Sequence, residues 1–192
     1  FAVSGRTATK GSFNDYLQVT KDSTRVYISE SGTKGSLGGF AVSGRTSTKG
    51  VTKKFMDMTK GNYFIGHESG QKLINGLYNS SLGYESGYSI TEGESNSFMG
   101  YQSGYKTNTG TGNLFLGYQT GYTNQSGNYN SFVGYQSGYS NSDGLNNSFL
   151  GSFAGYSNTS GSYNTFVGDS VGFLNTIGDE NSFYGDKAGY SN

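Results

Sequence analysis

The sequence predicts an all-β chain whose larger part is a parallel β-solenoid, or β-roll, of 17-residue turns. Three observations carry this: a 17-residue period free of insertions from Asn62 to the end, three glycine columns within it, and short segments that are apolar on both strand faces. A period this regular places each repeat on one equivalent turn of a stack, with like side chains in columns. Three glycines per repeat make helical turns poor, whereas short strands joined at glycine bends suit the pattern.

Two modules follow in chain order. Residues 1–60 carry a longer repeat, in which FAVSGRTATKG at Phe1–Gly11 returns as FAVSGRTSTKG at Phe40–Gly50, an offset of 39 with ten of eleven positions identical. Thr24-Arg25-Val26-Tyr27-Ile28 reads as an alternating strand, and residues 31–39, SGTKGSLGG, as a turn-rich crossover. The boundary is placed near Lys60, so residues 61–192 form the solenoid. Charge divides there too: ten Lys or Arg against four Asp or Glu leaves about +6 before it, and three against nine leaves about −6 after it.

Within the solenoid an asparagine column runs through Asn62, Asn79, Asn96, Asn113, Asn130, Asn147, Asn164 and Asn181. It is expected to form an amide ladder that satisfies backbone at a bend. Two positions later stand Phe64, Phe98, Phe115, Phe132, Phe149, Phe166 and Phe183, interrupted by Ser81. Glycine columns run from Gly66 to Gly185, from Gly70 to Gly189 and from Gly76 to Gly178. Strand alternation puts the phenylalanines on one face and Ile65, Leu82, Met99, Leu116, Val133, Leu150 and Val167 on the other. One face fills the solenoid; the opposite one needs another cover, as strands buried on both sides do. This predicts a subunit interface around a three-fold axis, hence an intertwined or side-by-side homotrimeric fibre.

Tyrosines form two further columns, Tyr84, Tyr101, Tyr118, Tyr135 and Tyr88, Tyr105, Tyr122, Tyr139, Tyr156, Tyr190, with Phe173 interrupting the second. They are expected to stack between turns. The alternative is that Tyr88, Tyr105, Tyr122, Tyr139 and Tyr156 make an exposed strip that grips sugars.

Other chemistry is sparse. The chain has 33 Gly, no Pro, Cys or Trp, and 14% charged residues, but 16% aromatics at regular spacing argue against disorder. Without Cys and with His67 alone, a disulfide framework, zinc and Cys-His or Ser-His catalysis are not expected within one chain; His67 stands in the Tyr84 column and reads as structural. Asp169, Asp179, Glu180 and Asp186 gather in the last two turns without the spacing of an EF-hand or a calcium β-roll, so no metal, cofactor or catalytic residue is assigned. Nor do they supply a consistent groove of paired carboxylates for glycoside hydrolysis. The basic residues of the first module form no compact phosphate-tracking cluster, so nucleic acid is not an expected partner. No segment reads as a membrane span or signal peptide. No column is consistently Thr, which discounts ice binding. Glycosylation sequons occur at Asn79, Asn124, Asn146 and Asn158. Because the chain opens at Phe1 and stops within a repeat, it is expected to be a piece of something longer.

At its N-x-F-φ-G motif, with φ apolar, the region 62–192 resembles the head repeats of trimeric autotransporter adhesins, whose N-S-V-A-I-G units form a left-handed parallel β-roll. The present repeats are longer and place Phe where that family has a smaller aliphatic residue. The FAVSGRT modules followed by NTFVGDSVG-type repeats also resemble repetitive surface and tail-fibre-like proteins of Bacteroidetes bacteria and their phages. These resemblances imply a trimeric extracellular fibre on a bacterial surface, a shaft or head for attachment, with a phage receptor-binding fibre as the alternative. A carbohydrate-binding or carbohydrate-processing β-helix is a third reading. Host or surface glycans are the implied partners besides the chain itself. Asp22-Ser23-Thr24 and Asp169-Ser170-Val171 resemble the O-glycan acceptor motif of exported Bacteroidetes proteins, which implies modification at Ser23 and Ser170.

Overall fold

A computed structural model describes residues 55–192 in full and, within 1–54, the backbone of the strands at 2–6, 13–19, 24–26, 39–45 and 52–54. The described structure is all-β. Its larger sheet has ten strands, the smaller three.

The smaller sheet is an antiparallel meander of β1 (Ala2–Arg6), β2 (Phe13–Val19) and β3 (Thr24–Val26). The larger one begins with the same meander: β4 (Gly39–Arg45), β5 (Thr52–Thr59) and β6 (Tyr63–Ile65). The two agree register for register at the 39-residue offset. Ala2 faces Gln18 as Ala41 faces Asp57, Leu17 faces Val26 as Met56 faces Ile65, and a bulge falls between Val3 and Ser4 as between Val42 and Ser43. Thus Thr24–Val26 is the counterpart of the first solenoid strand, although their sequences share little. Tyr27, Ile28 and the crossover at 31–38 lie outside the described residues.

From β6 onward pairing changes from antiparallel to parallel. β7 (Ser80–Leu82), β8 (Ser97–Met99), β9 (Leu114–Leu116), β10 (Ser131–Val133), β11 (Ser148–Leu150), β12 (Thr165–Val167) and β13 (Ser182–Tyr184) follow in sequence order. Each pairs with the next in register, Phe115 beside Phe132 beside Phe149. Residues 62–192 therefore form a parallel β-solenoid with one 17-residue turn per strand. At Lys60 the sheet continues without a break, and β5 covers the edge of β6 that parallel stacking would leave open.

The core is a single file of rings. Phe98, Phe115, Phe132, Phe149 and Phe166 are buried, and the rings from Phe98 to Phe183 stack at 4.7–5.1 Å with interplanar angles of 5–13°. This matches the spacing of hydrogen-bonded strands, so backbone and side chains share one repeat. The small column of Ser69, Ser86, Ser103, Thr120, Ser137, Ala154 and Val171 is also buried. Ser103 Oγ donates to the Phe115 carbonyl of the next turn at 3.0 Å.

Each turn bends at four places with positive φ, and only two take glycine throughout. Gly66 and its column hold φ of 111–145°, and for every member up to Gly168 an added Cβ would run into the next turn's glycine backbone. Gly70 and its column are left-handed near φ 60°, with the phenylalanine ring packed on the Cα; a Cβ on Gly104 would stand 2.7 Å from the Phe98 ring. The other two bends carry side chains at every position but Gly112. One runs Glu68, Glu85, Gln102, Gln119, Gln136, Phe153, Ser170, Lys187; the other runs Tyr78, Ser95, Gly112, Tyr129, Asn146, Tyr163, Glu180. Left-handed backbone costs an L-residue about 1–2 kcal/mol, so the stack imposes these conformations on its turns.

Candidate functional site

The repeat that builds the rod also sorts its side chains into internal ladders and outward columns. The Asn62 column is internal. Each Oδ1 accepts the backbone N–H of the next turn's asparagine at 2.9–3.0 Å, and each Nδ2 from Asn62 to Asn164 donates to a glycine carbonyl fourteen residues on at 2.7–2.9 Å. All the amide's groups are used within the stack, which leaves this column nothing to offer a ligand.

A second buried amide column, Asn124, Asn141, Asn158 and Asn175, escapes sequence reasoning although it obeys the same period. Asn141 Nδ2 donates to Asn124 Oδ1 at 2.7 Å and to the Gly144 carbonyl at 3.0 Å, and that carbonyl also accepts from Asn130. Earlier turns fill the position with Leu73, Ile90 and Thr107. A third ladder lies on the left-handed bend, where Gln136 donates to Gln119 at 2.8 Å, Gln119 to Gln102 at 2.9 Å, and Gln102 to Glu85 at 2.7 Å. Of the four sequons, Asn79, Asn124 and Asn158 are buried and only Asn146 is exposed.

Both tyrosine columns stack. Tyr88, Tyr105, Tyr122, Tyr139, Tyr156, Phe173 and Tyr190 follow one another at 5.0–5.2 Å and within 14° of parallel. Each interior ring of this column is covered on both faces by its neighbours, so the ladder presents edges and hydroxyls outward. Burial raises the phenol pKa of Tyr105, Tyr122 and Tyr139 above its ordinary value. The column from Tyr84 to Tyr135 is stacked at 5.1–5.4 Å and exposed, with His67 lying on Tyr84 at 5.1 Å. The Glu85 carboxylate beside Tyr84 raises that phenol's pKa. Phe153, one position out of the column, closes its end edge-on to Tyr135 at 5.2 Å.

On the strands, the face opposite phenylalanine is open. Ile65 is 37% exposed, Leu82 44%, Met99 51% and Leu150 50%; Leu116, Val133 and Val167 are half-buried in the same column. The tyrosines of the Tyr84 column begin two residues further along each turn, so aliphatic and aromatic columns run side by side.

Ser170 lies on a left-handed bend with its Oγ donating to Asp169 Oδ2 at 3.0 Å, while Ser23 lies outside the described residues. Among the described residues no group of three or more His, Cys, Asp or Glu is placed to hold a metal ion, and no helix is long and apolar enough to cross a membrane. No protein-family model, curated protein or solved structure matches the chain.

Proposed function

We propose that this chain is a segment of an extracellular structural and adhesive fibre on a bacterial surface, assembled as a homotrimer and acting mechanically rather than catalytically. The observation that carries the reading is the aliphatic column from Ile65 to Val167, which stays open on the strand face opposite the ring core and adjoins the exposed Tyr84 column. Soluble monomers rarely expose contiguous apolar patches beyond a few hundred Å². A second copy offers the same stripe at the same repeat, so two rods meet in register along their length. Stacked ladders support the mechanical part of the reading, because every turn is tied to its neighbours through backbone, amides and rings. An array of weak contacts along such a rod gives avidity without a deep pocket.

The test is the mass of the chain in solution by light scattering. A trimer, three times 20.5 kDa, is expected. The double variant Met99→Glu, Leu150→Glu is expected to fall to monomer with its β signal in circular dichroism retained. A folded monomer from the unaltered chain would overturn the assembly on which the reading stands.

A further inference from the structure

The aromatic platforms suited to a sugar lie on a different column from the stacked ladders. Stacking on a pyranose needs a free ring face, because the sugar's axial C–H groups pack against the π surface. Every interior ring of the Tyr88 column has both faces covered. Tyr78, Tyr129 and Tyr163, by contrast, are 69%, 64% and 57% exposed, and no aromatic ring of the described residues lies against any of them.

All three occupy one left-handed bend, with φ of 62°, 55° and 58°. The same column takes Gly112 and Asn146, the residue types that suit this backbone, so tyrosine is not required by the bend. Tyr129 is held in place: a Cβ on Gly112 would come 2.7 Å from its Cδ1, so the ring rests on the glycine of the preceding turn. Down the rod the column reads Tyr78, Ser95, Gly112, Tyr129, Asn146, Tyr163. It places aromatic platforms three and two turns apart, roughly 14 and 10 Å at the stacking repeat of a parallel sheet, with small or polar residues between them.

Charge narrows the ligand. The five residues of each turn that end at this bend, 74–78 in the first turn and 176–180 in the last, hold no Lys or Arg, and they carry Glu92, Glu94, Asp143, Asp179 and Glu180. An anionic polymer laid along the column meets these carboxylates at the turns of Ser95, Asn146 and Glu180 and no cation of the segment, whereas a neutral one meets Gln125, Ser126, Ser160 and other exposed polar groups.

We infer that Tyr78, Tyr129 and Tyr163 form a binding strip for a neutral, linear polysaccharide of flat, equatorially linked sugars lying along the rod axis. This rests on the adhesive-fibre reading and names its ligand class.

The experiment is affinity gel electrophoresis of the full chain in hydroxyethyl cellulose, with calorimetric titration by chitohexaose. Retardation and measurable heat are expected for the unaltered chain, with at least ten-fold weaker binding for Tyr129→Gly, Tyr163→Gly. Glycine occupies this column at Gly112, so the variant keeps the bend. A ladder control, Tyr122→Phe, Tyr139→Phe, keeps its rings and is expected to bind as the unaltered chain does. Three results overturn the inference: no binding of either probe by the unaltered chain, unchanged binding by the glycine variant, or stronger retardation in dextran sulfate than in hydroxyethyl cellulose. If binding fails while light scattering gives a trimer, the strip falls and the fibre stands. Tyrosine-dependent binding by a monomer keeps the strip and removes the trimeric fibre.

Discussion

Ile90 Cδ1 and Ser81 Oγ flank Gly87 at the place where the other turns put a phenylalanine ring. A Cβ on Gly87 would meet each of them at 2.8 Å, whereas the equivalent atom on Gly70 or Gly104 would meet Phe64 or Phe98 at 2.7 Å. Ile90 is fully buried, and its column turns to Thr107 and then to asparagine once the phenylalanines resume. The aliphatic side chain occupies volume that the missing ring leaves.

Restoring the consensus ring at position 81 alone is therefore expected to destabilise the rod. Ser81→Phe forces a ring into space already filled by Ile90, at a cost of about 1–3 kcal/mol. Ile90→Ala opens a cavity and costs about 2–5 kcal/mol. Combining Ser81→Phe with Ile90→Thr is expected to recover at least the starting stability. Denaturant unfolding of the singles and the double measures the coupling; additive effects would show that the two sites are independent.

The two asparagine columns predict an unequal response to one substitution. Asn96→Ala orphans both the Asn113 N–H and the Gly110 carbonyl, because the neighbouring inner position there is Thr107. Asn130→Ala orphans the Asn147 N–H, but the Gly144 carbonyl still accepts from Asn141. Asn96→Ala is expected to cost about 1–2 kcal/mol more, the penalty of one further unsatisfied buried group. Thermal unfolding of the two variants compares them directly.

Gly117 tests the stacking of backbones. Its φ is +135°, and a Cβ there would run into the Gly134 carbonyl. Gly117→Ala is expected to cost more than about 3 kcal/mol, combining backbone strain with overpacking. Hydrogen exchange should show lost protection centred on the turns of Gly117 and Gly134, since repeat proteins fail locally.

Alkali is expected to weaken the rod through its tyrosine ladder. Burial raises the pKa of Tyr105, Tyr122 and Tyr139 above the ordinary 10.0, so the folded chain keeps phenol protons that the unfolded chain gives up. The stability they contribute is full below pH 10 and is lost as pH rises through the raised values. Melting temperature followed from pH 8 to 12 should fall above 10, and Tyr105→Phe, Tyr122→Phe, Tyr139→Phe should flatten the fall. An unchanged profile in the triple variant would assign the alkaline loss elsewhere.

The 17-residue period was legible because every turn repeats the same chemistry. It determines which residues lie above one another, and hence the parallel sheet, the ring column at Phe98–Phe183 and the two tyrosine stacks. Alternation along each strand also separates Phe115 from Leu116. Periodicity relates equivalent residues of successive turns, but it does not say how one turn closes.

That closure was decided by tertiary structure. It put the phenylalanine face inside and left Met99 and Leu150 open, although both faces are apolar in sequence. It drove Gln119 and Tyr129 into left-handed bends, a backbone that glycine adopts most readily, because the tight stack fixes φ against local preference. It brought Asn130 and Asn141, eleven residues apart, onto one carbonyl, and set Ile90 beside Ser81. It also gave Thr24–Val26 the register of Tyr63–Ile65 with little shared sequence, since backbone pairing in a meander follows the flanking strands. The sequence determined the stacking by repetition; the fold decided inside from outside, because that depends on where the bends of one turn bring its segments together.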